Sequence, residues 1–239
     1  MGITIRRAKK ELRYETELAP SVWKWLNAQG AYPVDEFEAP WGITDFFGIR
    51  PNLDKSLQRV ASGQVASVGN DQSVLILLSI PAAGSGESVD EKKIIKDFSY
   101  LIGERRVSSI LLGLKKRRFI SISRGGQISK NTSWMPYHER MWSVELKLSR
   151  VDEALTQAKR HLKITPFSYV GLPPLIAEKT ANSIKAKEFE AAGVGLLSVT
   201  PNSCTALIEP AGDFDCVDNV YATAAAEKCW AAILKAIQH

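Results

Sequence analysis

The sequence predicts an α/β fold in which helices and strands alternate, with a basic, largely helical segment set between the second and third strands. Three observations predict it. Leu18, Val22, Trp25 and Leu26 recur at helical spacing, while Ile43 to Ile49 and Met141 to Leu148 read as strands. Hydrophobic residues make up 45% of the 239 positions, enough for a packed core and too many for global disorder. The net charge of +5 is concentrated: Gly103 to Lys130 holds eight cations against Glu104 alone, so the remainder is mildly acidic. A localised basic stretch on an acidic background is the footprint of a polyanion partner.

The first helix runs through Glu17 to Leu26. Pro20 sits in its first turn, where a missing N–H costs little, and Asn27 to Gly30 ends it. Strands are expected at Val34 to Glu38 and Ile43 to Ile49, with Pro40-Trp41-Gly42 as the turn. Asp54 to Ile80 reads as helical with a break near Ser67 to Asp71. Ala82 to Gly86 is a loop, and Val89 to Tyr100 and Glu104 to Lys116 are helices joined at Gly103. Phe119 to Ser123 and Gln127 to Lys130 alternate around Arg124-Gly125-Gly126, the pattern of a hairpin. This order of helices followed by a basic hairpin is that of a winged helix-turn-helix. Past a polar linker comes the strand Met141 to Leu148. Ser149 to Asp152 has the S-x-x-D form of a capping box for a helix over Val151 to Leu162. A strand Phe167 to Leu172, a helix Ser183 to Ala192, strands Gly195 to Thr200 and Thr205 to Glu209, and an Ala-rich helix Asn219 to Ile237 complete the chain.

Several classes are disfavoured. Cys204, Cys216 and Cys229 are too widely spaced for a zinc knuckle, and three histidines are too few for a Cys/His metal site. The basic N-terminus has no apolar run behind it, and the longest apolar run, Val74 to Leu78, is far too short for a bilayer. The expected setting is the cytoplasm, with no membrane partner.

The chemistry concentrates in Trp142-Ser143-Val144-Glu145-Leu146-Lys147-Leu148. Side chains alternate along a strand, so Glu145 and Lys147 share one face while Val144, Leu146 and Leu148 turn to the core. An acid and a cation fixed side by side offer an ion ligand and a group to orient water or offset charge. Mg²⁺ takes oxygen ligands, commonly one or two carboxylates. Asp45, a lone acid in the apolar strand Ile43 to Ile49, is the second candidate, since such a charge is costly unless paired or metal-bound.

With Asp45 and Glu145-Leu146-Lys147 in that order of elements, the chain resembles the PD-(D/E)xK, or restriction-endonuclease-like, nuclease superfamily. The resemblance covers roughly residues 10–50 and 140–210. It departs in that no proline immediately precedes Asp45, and a long segment separates Asp45 from Glu145. It implies a mixed sheet flanked by helices, with a nuclease core over 1–53 and 133–239 and an inserted winged-helix DNA-binding domain over 54–132. It also implies a Mg²⁺- (or Mn²⁺-) dependent DNA endonuclease whose ion is held by Asp45, Glu145 and the Leu146 carbonyl, with Lys147 at the water. Gln157 resembles the glutamine of the helix after E-x-K, and Glu17 a first-helix glutamate. In the insert, Arg105, Arg106, Ser108 and Ser109 would face bases of double-stranded DNA, and Lys115, Lys116, Arg117, Arg118 and Arg124 would hold phosphates. The alternative is a DNA-binding regulator on an inactive nuclease-like core. The apolar C-terminal helix is a candidate homodimer interface, and 54–132 is expected to be replaceable by a Gly/Ser linker without loss of the fold.

Overall fold

The computed structural model describes residues 15–131, 134 and 136–238. Residues 1–14 and the expected domain boundary at 132/133 lie outside them. Helix α1 (Ala19–Ala28) carries Pro20 in its first turn and buries Ser21, Val22 and Leu26. Gly30, at φ +72°, closes it in the left-handed region where glycine is unstrained. Strands β1 (Tyr32–Ala39) and β2 (Gly42–Pro51) form an antiparallel hairpin. Glu36 in β1 has φ +48°, unusual for a residue with a Cβ. The flanking pairs Asp35↔Phe46 and Phe37↔Thr44 put it across from Asp45.

The chain then leaves the sheet. The stretch expected as one interrupted helix is two: α2 (Leu53–Ala61), capped by Asn52, and α3 (Asp71–Ser79), capped by Asn70. The break is wider than Ser67 to Asp71, because Gly63 (φ +72°) and Gly69 (φ +114°) bound a loop that no right-handed helix can include. The short strand β3 (Val89–Asp90), helices α4 (Glu91–Ile102) and α5 (Glu104–Lys116), and strands β4 (Ile120–Ile122) and β5 (Gln127–Lys130) follow. The three strands form a small sheet in the order β3-β5-β4. Ile94, Val107, Leu111, Leu114, Phe119 and Ile128 fill a separate core beneath them.

Strand β6 (His138–Leu146) starts three residues earlier than its apolar pattern suggests, because exposed polar residues such as Glu139 and Arg140 still belong to the strand beside β2. It ends at Leu146, although the Lys147 amide goes on to donate to the Gly171 carbonyl. Ile49 pairs with Met141, so β2 and β6 resume as neighbours after the excursion. Helix α6 (Val151–His161) leads to β7 (Ser168–Leu172). The expected capping box does not form: Arg150 takes the cap position without a side-chain bond, and Asp152 pairs with Lys185 instead. Pro173-Pro174 opens a further helix, α7 (Pro174–Ala181), where the sequence suggests only a strand boundary, since Pro at the first helical position is preorganised rather than breaking. Then come α8 (Lys185–Ala192), β8 (Gly195–Val199), β9 (Cys204–Ile208) and α9 (Asn219–Ile237).

The main sheet is mixed and six-stranded, ordered β1-β2-β6-β7-β8-β9. Its central pairs β6/β7 and β7/β8 are parallel and the others antiparallel. Helix α1 covers one face through Leu18, Val22 and Leu26 against Phe46, Trp142, Val144 and Leu146. Helices α6, α7 and α8 cover part of the other through Ala154, Ala158, Ala177 and Phe189 against Val170 and Leu196. Helix α9 covers the rest of that second face, with Ala226 and Trp230 against Phe47, Ile49 and Met141. Its Ala224 also packs into the insert core. Ala222 to Glu227 are buried without interruption, so the first half of this helix is internal, while Ala231 and Ala232 farther along it are exposed. No described helix is long and apolar enough to cross a membrane.

Candidate active site

The register of β2 against β6 builds the site. Phe46 pairs with Val144, and one step further along the antiparallel ladder brings Asp45 opposite Glu145. Alternation puts Phe46, Val144 and Leu146 against α1, which turns Asp45, Glu145 and Lys147 to the opposite face. Asp45 Oδ2 accepts the Leu146 amide at 2.7 Å, so this carboxylate is clamped to the neighbouring strand. Lys147 Nζ donates to Glu145 Oε1 at 2.7 Å and to the Leu146 carbonyl at 2.9 Å, and stands 3.7 Å from Asp45 Oδ2. Both acids therefore reach one ammonium, and their oxygens lie no farther apart than those two distances end to end.

Burial sets the electrostatics. Glu145 is 2% exposed and Lys147 6%. Burial pushes the Glu145 carboxyl up to about 7 against the opposing bond from Lys147, and the neighbouring charges of Asp45 and Glu15 add to the rise. For Lys147 burial works against the charge, but the Glu145 bond and the charges of Asp45, Glu145 and Glu15 outweigh it, and its pKa is raised. Glu145 Oε2 is buried with no hydrogen-bond partner among the described residues. An unpaired buried carboxylate oxygen carries a desolvation cost unless something coordinates it.

Helix α6 packs over β6 and β7 with Ala154 and Ala158 buried. Gln157 lies between them on that helix, half-buried, and its Oε1 is also buried and without a partner among the described residues. Glu17 is half-buried in the 3₁₀ turn Glu15–Glu17 that leads into α1. It is Glu15, from the same turn, whose charge acts on both Glu145 and Lys147. Sequence reasoning passes over Glu15, since it falls before the apolar periodicity of α1 begins. It also passes over Glu36, whose relation to Asp45 is visible only in the register.

The donors here are two carboxylates and a backbone carbonyl. No group of three or more His, Cys, Asp or Glu suited to a metal occurs among the described residues. Hard oxygen donors in that small number fit Mg²⁺ or Mn²⁺, which keep several waters, and do not fit a closed zinc cage. Asp45, Glu145 and the Leu146 carbonyl are the groups that would hold it, with Glu145 Oε2 uncommitted.

The insert disposes its candidate residues differently. Helix α5 buries Val107, Ile110, Leu111 and Leu114, which leaves Arg105, Arg106, Ser109, Lys115 and Lys116 exposed and Ser108 half-buried. Arg106 Nε donates to Gln72 at 3.4 Å. Arg124 is exposed at the tip of the β4–β5 hairpin. Arg117 turns back onto the fold, while Arg118 stays exposed. Arg117 Nε donates to the Gly113 carbonyl at 3.1 Å, and burial lowers its pKa. Arg118, at φ +65°, ends α5 and lies against Gly63, and its carbonyl accepts from Gln64 and Asn131.

No family model matches the chain, and no curated protein matches it. Among solved structures, a protein of unknown function from Silicibacter pomeroyi matches at TM-score 0.44 and 12% identity, over 96% of this chain and 92% of that one. A likeness at that level carries no argument about function, which rests on the geometry of Asp45, Glu145 and Lys147.

Proposed function

We propose that the chain is a Mg²⁺- or Mn²⁺-dependent DNA endonuclease of the PD-(D/E)xK type, targeted to double-stranded DNA by a winged-helix insert. The observation that carries the reading is the pairing of Asp45 with Glu145 across adjacent strands around the Lys147 ammonium, with Glu145 Oε2 buried and unpartnered. A divalent ion held there would polarise a phosphodiester and lower the pKa of a water. Asp45 is held in place by the Leu146 amide, so it arrives at the site already oriented. Lys147 moves its ammonium between Glu145 and the charge that develops on the attacked phosphate, a role that needs a permanently charged group. Gln157 offers its free oxygen to orient water. The water oxygen would form a new P–O bond in line as the P–O bond to the leaving sugar oxygen breaks, with the water's proton released to solvent and the leaving oxygen taking one up from it. Incubating the protein with plasmid DNA in Mg²⁺ or in EDTA tests the reading: nicking or linearisation that EDTA abolishes is expected, and intact plasmid in both would overturn it.

The winged-helix reading rests on topology. The insert runs α3, β3, α4, α5, β4, β5, with β3 pairing β5, and this is the order of a winged helix whose α5 is the recognition helix. Lys115 and Lys116 extend freely from the end of α5. Removing both is expected to weaken binding to all sequences alike and to flatten the log–log salt dependence by about two units. Arg117→Ala is expected to lower the melting temperature with little change in slope, because its side chain is spent on Gly113. A salt titration in which Arg117→Ala and the Lys115/Lys116 pair behave alike would reverse this division.

The raised pKa of Glu145 predicts how ion binding depends on pH. In the metal-free fold Glu145 keeps a proton up to about 7, whereas an unfolded glutamate loses it near 4.5. The folded state therefore binds more protons across that window, and this group's contribution to stability falls as pH rises through it. An ion must displace that proton below pH 7. The rise in melting temperature caused by Mn²⁺ is thus expected to be small at pH 5.5 and full at pH 8, and absent in Glu145→Gln. A Mn²⁺ effect equal at the two pH values would remove Glu145 from the ligand set.

One observation favours the second reading, a DNA-binding regulator without activity. Lys147 already bonds Glu145 at 2.7 Å and offsets its charge without an ion. DNA binding by the insert with no Mn²⁺-induced stabilisation at any pH is the outcome that would select it.

A further inference from the structure

A cleft of about 640 Å³ opens at the same end of the sheet as the candidate site. One wall is residues 149–153, which begin two positions after Lys147 at the turn from β6 into α6. The other wall comes from α7 and the start of α8. Helices α6, α7 and α8 pack on the sheet face to which Glu145 turns, so cleft and site share a face as well as an end. Crevices beyond the carboxyl ends of parallel strands, here β6 and β7, are where open α/β sheets take ligands. The volume lies in the range of ligand sites.

The cleft's charges are arranged in pairs with one left over. Arg150 NH1 meets Glu153 Oε2 at 2.8 Å, and Lys185 is held by Asp152 and, at 2.9 Å, by Glu188. The acids thus fix the cations at the rim. Lys179 lines the same cleft, is exposed, and has no ion pair among the described residues. The residues lining the cleft comprise three cations, Arg150, Lys179 and Lys185, and two acids, Asp152 and Glu153; Glu188 beside Lys185 adds a third acid, so Lys179 is the lining cation without a carboxylate partner among the described residues. One unpaired ammonium suits a single phosphodiester, which carries one negative charge, better than a free polyphosphate. An arginine already paired to one carboxylate still has donors for a phosphate oxygen. The cleft adjoins the proposed phosphodiester-cutting centre, since Ser149 and Arg150 follow Lys147 by two and three residues at the turn from β6 into α6, on the way a neighbouring phosphate of the same strand would take.

We propose that this cleft seats a backbone phosphodiester of the strand being cut, adjacent to the scissile one, with Arg150 and Lys179 as its ligands. The proposal rests on the nuclease reading. Its test is the affinity of the full chain for a 30-base-pair fluorescein-labelled duplex in EDTA, followed by anisotropy across a salt series, beside a Mg²⁺ cleavage assay of the unaltered protein. Arg150→Ala/Lys179→Ala is expected to raise Kd about tenfold and to flatten the salt slope by about one to two units. Lys24→Ala/Lys235→Ala, which removes the same charge elsewhere, is expected to change neither by as much. Melting curves check that both variants fold. If the unaltered protein cuts DNA and the Arg150/Lys179 variant binds with unchanged Kd and slope, the cleft proposal is overturned and the nuclease reading stands. If the unaltered protein binds but does not cut, the nuclease reading falls, and with it a cleft assigned to a strand being cut.

Discussion

Asp45→Asn, Glu145→Gln and Lys147→Ala are each expected to lower Mg²⁺-dependent DNA cleavage by on the order of 10³-fold while leaving DNA affinity near that of the unaltered protein. The first two variants are nearly isosteric, which isolates charge from shape. In Asp45→Asn the new amide oxygen can still accept the Leu146 N–H that Asp45 Oδ2 takes at 2.7 Å, so the strand clamp survives and only the carboxylate is lost. Glu145→Gln takes away the carboxylate beside the buried Lys147 ammonium but keeps an amide oxygen that can accept from Lys147 Nζ, which limits the cost to the fold. Lys147→Ala leaves Glu145 buried without its 2.7 Å partner, and this variant should bind a proton more tightly still at that carboxyl. The affinity should hold because the basic surface of α5 lies in the separate insert. The measurement is a plasmid nicking time course with anisotropy alongside it. Any of the three variants cutting at the unaltered rate would show that its side chain has no part in the reaction.

The trio is legible because its signals are local. Glu145 and Lys147 are two apart on a strand, and period-two alternation alone puts them on one face. Asp45 stands out as a lone acid in an apolar strand. What the sequence does not say is how the strands meet: the Ile49↔Met141 pairing spans a long excursion, and no local pattern encodes a register closed across it. Glu15 escapes notice for a like reason: it acts on Glu145, far away in sequence, and it precedes the first periodic residue. The capping box fails for a related cause: Asp152 has a better partner in Lys185, which belongs to a helix more than thirty residues on. Composition locates the basic insert but not the disposition of its charges. A run such as Lys115 to Arg118 looks uniform in sequence, yet the end of α5 turns Arg117 back onto Gly113 and leaves Arg118 exposed beside Gly63.

The largest stability effect is expected at Arg59 and Glu227, and it overturns the idea that residues 54–132 can be replaced by a linker. Arg59, on the buried side of α2, meets Glu227 of α9 in a two-pronged pair at 2.6 and 2.9 Å. The remaining donors are satisfied too: Arg59 reaches the Gln64 and Ala66 carbonyls, and its guanidinium lies 3.8 Å from the centre of the Trp230 ring. Glu227 Oε2 also accepts the Val68 amide at 2.7 Å. The Ser67 hydroxyl donates to the Glu227 carbonyl and the Trp230 indole to the Val65 carbonyl, so the loop between α2 and α3 is tied along α9. A buried ion pair adds little over a well-packed apolar pair, but removing one partner strands the other charge and costs about 3–5 kcal/mol. Arg59→Ala and Glu227→Ala should each show that loss in urea denaturation, with a melting temperature lower by roughly 10 °C for a chain of this size. Arg59→Leu/Glu227→Leu should recover only part of it, because the Val68 amide then has no acceptor. Cutting out residues 54–132 removes Arg59 and Val68 together and leaves Glu227 buried with neither. That shortened chain is expected not to fold, although loop closure alone would permit it. Cooperative unfolding of the shortened chain, or an Arg59→Ala variant as stable as the unaltered protein, would show that α9 and the insert are independent after all.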